Sequence, residues 1–371
     1  MNLRRVLILA DESADWVVAG LRQLERIALC LDEAATEPIS VTIFWRPGFD
    51  RAHHWIPEHP RLAKIRFTTE PDGGAYDLVV STRLFVYRKA IAQLIAESTA
   101  HQTSTASWHD CFEQTKATLA PRPGAWEFIP AQDAIGAIET RFLRGSGKSQ
   151  DGFVSRYLNR PVSRRITRLL LRSPVTPNAW TWLIFPLPVI AALTMARGTY
   201  WCFVWGLVLF QVFSILDGCD GEIARAKFME SESGRRLDDF FDVLSNILLV
   251  LGLGVGLRQA HPNFGGIYLA EGISAAVLIA INEWLLARSP LAEAGAESLG
   301  GTLYPRHRAL VERSGLLAFG EKFASLLIQF TKRDVAILFF VVLALAGFPA
   351  VILHLLFAVT AVSLALAFRA R

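Results

Sequence analysis

Between Asp217 and Asp242 the chain runs DGCDGEIARAKFMESESGRRLDDFFD, with apolar sequence on both sides. Asp217 and Asp220 stand three residues apart, and Asp238 and Asp242 four apart. Each pair therefore shares a face if its segment is helical. A charged carboxylate at the bilayer centre costs about 2.5–3.5 kcal/mol on insertion scales, so several on facing helices require cations or a wet cavity. A donor set of carboxylate oxygens selects Mg2+, Mn2+ or Ca2+ over zinc. Gly218, Gly221 and Gly234 each cost about 1 kcal/mol against Ala in a helix. Beside an acidic face they allow a bulky ligand such as a nucleotide diphosphate to approach. Arg225 adds a fixed positive charge for phosphate oxygens. Splitting a diphosphate requires charge neutralisation on the leaving group and at the attacked phosphorus, which two cations can supply. A carboxylate in reach of the attacking hydroxyl can take its proton.

These residues are positioned by apolar segments. Stretches at about 179–196, 201–223, 237–257, 265–287, 325–347 and 349–368 are near the 20 residues that span a bilayer of about 30 Å. Asp217 and Asp220 fall at the end of the second, and Asp238 and Asp242 at the start of the third. The hydrophilic hairpin Ala226–Arg236 makes the two helices antiparallel neighbours, so their acidic faces can converge. Before the first span, residues 151–172 place Val154, Leu158, Val162, Ile166, Leu169 and Leu170 on one helical face, with arginines on the other. That pattern predicts an interfacial helix. Arg156, Arg160, Arg164, Arg165, Arg168 and Arg172, with the basic 288–324 connection, place both termini in the cytoplasm by the positive-inside rule, with six spans.

Composition agrees. Of 371 residues 52% are hydrophobic and 19% charged, against about 25% charged in soluble domains. The excess lies beyond Trp180, which divides the chain into a soluble domain over 1–145 and a membrane domain over 146–371. The net charge of +4 and pI near 9.0 come from arginines beside the first span, so no nucleic-acid partner is expected. Cys30, Cys111, Cys202 and Cys219 form no paired spacing, which argues against a disulfide framework or a zinc site. The apolar run Val6–Ala10 meets Asp11 and Glu12, too short for a signal peptide.

In the first domain, residues 4–10, 41–45, 63–68 and 77–81 predict strands, and 17–34 and 85–98 predict helices. The alternation indicates an α/β fold with a mainly parallel sheet. Residues 101–150 are polar and poorly periodic, and are expected to form the end of this domain and a linker through Gly145-Ser146-Gly147.

The acidic segment resembles the signature of the CDP-alcohol phosphotransferases, D-x2-D-G-x2-A-R-x8-G-x3-D-x3-D. Asp217, Asp220, Gly221, Ala224, Arg225, Gly234, Asp238 and Asp242 fill every fixed position. Thr176-Pro177-Asn178 before the first span and the arginine-rich amphipathic helix are further likenesses, covering about 150–371. The resemblance implies a six-helix integral membrane enzyme of the cytoplasmic (inner) membrane, commonly a homodimer. It would transfer the phosphoalcohol part of a CDP-alcohol to an acceptor hydroxyl and release CMP. Asp217, Asp220, Asp238 and Asp242 would hold two Mg2+ or Mn2+ ions. Asp217, Gly221, Ala224, Arg225, Gly234 and Asp238 would contact the CDP-alcohol, and Asp242 would be the general base. Arg235, Arg236, Lys332 and Arg333 are candidates for a phosphate on the acceptor, with a membrane-anchor role open for each. Lys332-Arg333-Asp334 resembles a segment of the subgroup that makes inositol-phosphate diesters. Asp239 points about 100° away from Asp238 and is assigned a structural role, as is His354 within the sixth span.

Ala19-Gly20-Leu21-Arg22-Gln23-Leu24-Glu25-Arg26 and the strand VTIFW resemble the sugar-nucleotide and cytidylyl transferase fold. Some relatives fuse such a domain to a CDP-alcohol phosphotransferase, as inositol-phosphate cytidylyltransferase and di-inositol-phosphate-phosphate synthase. Here Leu9-Ala10-Asp11-Glu12-Ser13-Ala14-Asp15 replaces the glycine-rich triphosphate loop. Two acidic residues supply neither the turns nor the charge such a cradle needs, so an inactive domain kept for regulation, dimer contacts or stability is expected. The competing readings are a bifunctional enzyme with an active first domain and a cation transporter, a class in which internal repeats are frequent and none is seen here.

Overall fold

The computed structural model describes residues 3–71, 73–97, 101–102, 107–145, 153–287 and 333–369. The chain divides into two compact units. One comprises residues 1–146 with 171–173 and 226–228. The other comprises 147–170, 174–225 and 229–371.

The first unit is built on four parallel strands in the order β5-β4-β1-β7. They are β1 (Arg5–Ala10), β4 (Ile39–Trp45), β5 (Ile65–Thr68) and β7 (Leu78–Ser81). Their β-branched and aliphatic residues are buried on both faces, as parallel sheets require: Val6, Leu7, Ile8 and Leu9 are all inaccessible. Ala10 pairs with Trp45, and Leu9 with Ser81, so β1, β4 and β7 end together. Helix α1 (Gln23–Ala34) covers one face with Leu24, Ile27, Ala28 and Leu31. The other face carries Leu7, Leu9 and Val79 against Trp108 and Cys111 of α3 (Trp108–Thr118).

Three expectations change. Residues 17–22, read as the start of a helix, form a two-stranded hairpin of β2 (Val17–Val18) and β3 (Leu21–Arg22). Ala19 at φ 49° and Gly20 at φ 83° supply the two left-handed residues a tight hairpin needs, and α1 starts after it. Likewise 85–98 opens as β8 (Leu84–Val86) and becomes α2 (Ile91–Glu97) only later. Within 101–150, the described residues 101–102 and 107–145 are more ordered than their polarity suggests. Beyond the short strand pair β6 (Ala75–Tyr76) and β9 (His101–Gln102) they hold α3, β10 (Trp126–Phe128) paired with β8, and α4 (Ile135–Gly145). The signal for α3 is a capping box, Ser107 with Asp110; the Ser107 hydroxyl and amide hold Asp110 below the usual carboxylate range. Gly145 is the last residue of α4, and the rest of the expected linker, Ser146-Gly147, lies outside the described residues.

The second unit is helical. α5 (Arg160–Leu170) follows a wider turn at Ser155–Asn159. Among the described residues, four stretches are long and apolar enough to cross a membrane: Pro177–Met195, Tyr200–Ala226, Glu232–Ala260 and Gly265–Leu285. The first is two helices, α6 (Pro177–Ile184) and α7 (Pro186–Met195), because Pro186 cannot continue the hydrogen-bond ladder. The others are α8 (Tyr200–Ala226), α9 (Glu232–Ala260) and α10 (Gly265–Ala287). α11 (Arg333–Leu345) and α12 (Pro349–Arg369) follow. Residues 325–332, where the fifth span was expected to begin, and the basic 288–324 connection lie outside the described residues. Phe203, Leu207 and Phe210 of α8, Val250 and Leu253 of α9, Ala275 of α10, Phe340 of α11 and Leu353 of α12 form one core.

α5 departs from a soluble amphipathic helix. Taken with the turn before it, its protein-facing side is polar, with Asn159 of the turn and Arg160, Ser163 and Thr167 buried, while Leu158 of the turn, Val162 and Leu169 are exposed. An apolar outward face suits an interfacial location. The inward face exists to meet α8.

Candidate active site

The sequence places Asp217 and Asp220 near the end of α8, and Asp238 and Asp242 two turns into α9. The α9 start is fixed locally: Ser231 caps it by accepting from the Gly234 amide at 3.0 Å. α6 starts the same way, with Thr176 accepting from Ala179 and Pro177 in the first turn.

Asp217, Asp220 and Asp238 converge. Each offers a carboxylate oxygen, and these oxygens lie within 4.8 Å of one another. Like charges at such a separation oppose one another strongly in a partly desolvated site. Positive charge placed between them would relieve that repulsion. Asp220 is almost fully buried and is oriented by the Thr181 hydroxyl of α6, which donates to Oδ2 at 2.9 Å. Asp242 stands beside this trio rather than within it. Its Oδ1 accepts from Arg333 Nη1 at the start of α11. The same guanidinium lies 3.9 Å from Asp217 Oδ2, and its Nη2 donates to Ser245 at 3.4 Å. Ser245 in turn donates to the Asp242 carbonyl at 2.8 Å.

Two glycines of the pattern lie close to the ends of polar side chains. A Cβ at Gly221 would sit 3.1 Å from Arg225 Nη1, and one at Gly234 would sit 3.0 Å from Asn178 Oδ1. Arg225 itself is half-buried, yet its Nε and Nη2 have no hydrogen-bond partner. Buried guanidinium groups are seldom left so, and the free donors sit one helical turn from Gly221 and Asp220. Ala224 lies on the same helix end, half-buried.

The other candidates separate cleanly. Arg235 pairs with Glu232 at 2.6 Å and Asp239 at 3.2 Å, and Arg236 with Glu232 at 3.3 Å; both arginines are exposed. Asp239 is thus bound on the α9 surface. Lys332 lies outside the described residues, while its neighbour Arg333 reaches the acidic cluster. His354 meets Glu271 of α10 at 2.8 Å, which gives it the interhelical partner its position called for.

Sequence reasoning missed the support behind α8. Glu222 is fully buried and accepts from Arg160 at 3.0 Å, Ser163 at 3.0 Å and Thr167 at 2.7 Å, all from α5 or its leading turn. Arg160 was counted among the surface cations. It is instead buried and paired, because a carboxylate one residue from Gly221 needs a counter-charge. The visible signal was that Arg160, Ser163 and Thr167 share one face at helical spacing.

Fold and site together define a membrane transferase with a carboxylate centre on two antiparallel helices. The CDP-alcohol phosphatidyltransferase family model matches residues 175–368, just over half of the chain, and the chain belongs to that family. Among similar proteins, the "Bifunctional IPC transferase and DIPP synthase" of Thermococcus kodakarensis is 33% identical over 165 residues, which cover 44% of this chain and 37% of that protein. Proteins of the same name from Rubrobacter xylanophilus (37% over 165 residues, 43% and 37%) and Aquifex aeolicus (39% over 118 residues, 32% and 26%) are also similar. The matched segments span little more than a third of these relatives at most.

Proposed function

We propose that the chain transfers the phosphoalcohol moiety of a CDP-alcohol, CDP-diacylglycerol or a CDP-polyol, to an acceptor hydroxyl with release of CMP. The observation that carries this reading is the convergence of Asp217, Asp220 and Asp238 beside the unpartnered donors of Arg225. Those carboxylates, with Asp242, fit Mg2+ or Mn2+ by donor type. When bound, two such ions would supply charge neutralisation for the diphosphate and its leaving group. Thr181 holds Asp220 in place. Arg225 offers Nε and Nη2 to phosphate oxygens, and Gly221 and Gly234 leave room for the nucleotide. The acceptor oxygen attacks the phosphorus that carries the alcohol, the bond from that phosphorus to the CMP phosphate oxygen breaks, and the acceptor proton passes to Asp242. Arg333, which grips Asp242, orients that base and stands where a phosphate on the acceptor would arrive. This favours a phosphorylated polyol as acceptor, read by Arg333 rather than by Arg235 and Arg236.

The parts fit a multi-pass protein of the inner membrane with six spans, both termini cytoplasmic, acting as a homodimer. The first domain, 1–145, is nucleotidyltransferase-like and inactive. The relatives' name includes a second activity, but in this chain the turn after β1 is closed by its own ion pairs, Asp11 with Arg83 at 2.7 Å and Glu12 with Arg46 at 3.2 Å. Full-length protein in detergent, given a panel of labelled CDP-alcohols and acceptors, is expected to release CMP only with a divalent cation. Metal-independent release, or cation flux in proteoliposomes without CMP formation, rejects the assignment. The same protein with CTP, Mg2+ and sugar or polyol phosphates is expected to release no pyrophosphate.

A further inference from the structure

We propose that Arg160 is a positioning residue for the nucleotide: by holding Glu222, it keeps the neighbouring Arg225 open to the diphosphate. This rests on the reading of Arg225 as a donor to that diphosphate.

Glu222 and Arg225 stand three residues apart near the end of α8. That spacing brings an acid and a base together on one helix face. On α9 the same spacing makes the pair, with Arg235 on Glu232 at 2.6 Å. On α8 it does not. Glu222 is fully buried and turns to α5 instead. There Arg160 Nη1 donates to it at 3.0 Å, the Ser163 hydroxyl at 3.0 Å and the Thr167 hydroxyl at 2.7 Å. Arg160 is buried too, and its Nη1 also lies 3.5 Å from the Gly218 carbonyl.

Arg225 is left over. Its Nε and Nη2 have no partner among the described residues. Asp220, Glu222 and Glu230 attract this guanidinium and Arg160 repels it, yet those two nitrogens bond to none of the three acids. Glu230 is exposed. Asp220 is held by the Thr181 hydroxyl and the Gly221 amide. Glu222 is the acid with both the burial and the spacing to take Arg225. A buried carboxylate deprived of its cation is strongly unfavourable, so Glu222 without Arg160 would draw in the next guanidinium on its own helix. With Arg160 in place, a cation and two hydroxyls fill three of the roughly four acceptor positions of the carboxylate. The donors of Arg225 then remain for an anion from outside the chain, and phosphate oxygens suit a guanidinium fork.

The test is isothermal titration of CDP, which carries the diphosphate and no alcohol to transfer, into full-length, detergent-purified protein with Mg2+. Arg160→Gln is expected to weaken CDP binding about 10–100-fold, as far as Arg225→Gln does, because Glu222 then occupies the guanidinium. Arg160→Gln/Glu222→Gln removes the competing acid as well, and is expected to return binding to within about threefold of wild type. A purely structural role for Arg160 predicts no such rescue. In turnover, KM for the CDP-alcohol should follow the CDP affinity while kcat holds. Arg160→Gln that binds CDP like wild type overturns the inference, as does a pair variant that binds no better than Arg160→Gln. Should Arg160→Gln fail to fold, the pair variant decides, since it strands neither charge. Its binding CDP like wild type supports the inference, and an affinity as low as that of Arg225→Gln overturns it. If Arg225→Gln itself binds CDP like wild type, the diphosphate reading of Arg225 fails and the inference falls with it. If Arg225→Gln weakens binding and Arg160→Gln does not, that reading stands and the inference alone falls.

Discussion

Two acidic segments of this chain look alike in sequence and differ in what surrounds them. After β1, Asp11, Glu12 and Asp15 each meet an arginine supplied from elsewhere in the first unit. Asp11 also accepts from the Ser13 amide and hydroxyl at 2.9 and 2.5 Å. In the membrane unit, Asp217, Asp220 and Asp238 crowd three carboxylates within 4.8 Å, while Arg225 nearby keeps two donors unpaired. The first arrangement is electrically complete. The second holds like charges close together, with Arg333 beside two of them, and divalent cations would offset that charge further. The number of acids is therefore a poor guide to a site, and the accounting of their partners is a better one.

The largest expected difference lies at Asp242. Asp242→Asn should preserve folding and CDP-alcohol binding while lowering turnover by ~10²–10⁴-fold, the usual contribution of a general base. Single-turnover CMP release measures it. A variant that keeps more than about a tenth of wild-type activity removes the base role from Asp242. On the other side of the comparison, Arg83→Ala should lower stability by about 3 kcal/mol, because it strands the buried Asp11 carboxylate. Its CMP release per folded molecule should be unchanged. Chemical denaturation with parallel activity assays reads both, and a loss of intrinsic activity as large as that of Asp242→Asn would mean the two acidic segments are not independent.

Arg225→Gln tests whether the unpaired donors serve the diphosphate. Hydrogen bonds to charged groups contribute about 1.5–3 kcal/mol, so KM for the CDP-alcohol should rise roughly 10–100-fold with little change in stability. A variant that unfolds while KM holds in the surviving fraction would make Arg225 a structural residue.

How much of this contrast the sequence carried depends on the distance over which each contact forms. The helical period showed that Asp217 and Asp220 share a face, and the short hairpin showed that α8 and α9 run side by side, so the convergence was legible. The same period gave a helix over 17–34, but it could not register that Ala19 and Gly20 adopt left-handed backbone and break the pattern. It showed an arginine-rich face on 151–172 without showing that Arg160 turns inward to Glu222, since that depends on a partner 62 residues away. Thr181 was invisible for the same reason, and Asn178 was visible only as part of the Thr176-Pro177-Asn178 motif, not as the neighbour of Gly234. Short polar side chains gain their role only when α6 packs against the site.

Arg333 is where the two patterns meet, because it is a cation set beside the acidic cluster. It contacts Asp242 and lies 3.9 Å from Asp217, so it competes for the same negative charge as a divalent ion. Opposite charges about 4 Å apart interact by up to about 4 kcal/mol near a protein surface, and much of this is recovered elsewhere when the partner is lost. Arg333→Gln should therefore tighten Mn2+ binding by about tenfold, the reverse of Asp220→Asn or Asp238→Asn, which should weaken it. The same substitution should raise KM for a phosphorylated acceptor and leave KM for the CDP-alcohol unchanged. Mn2+ titration followed by electron paramagnetic resonance gives the first result without any turnover, and steady-state kinetics give the second. If Mn2+ binds more weakly in Arg333→Gln, the arginine supports the metal geometry rather than opposing the ion, and the membrane site is closer to the self-neutralised turn after β1 than its three crowded carboxylates suggest.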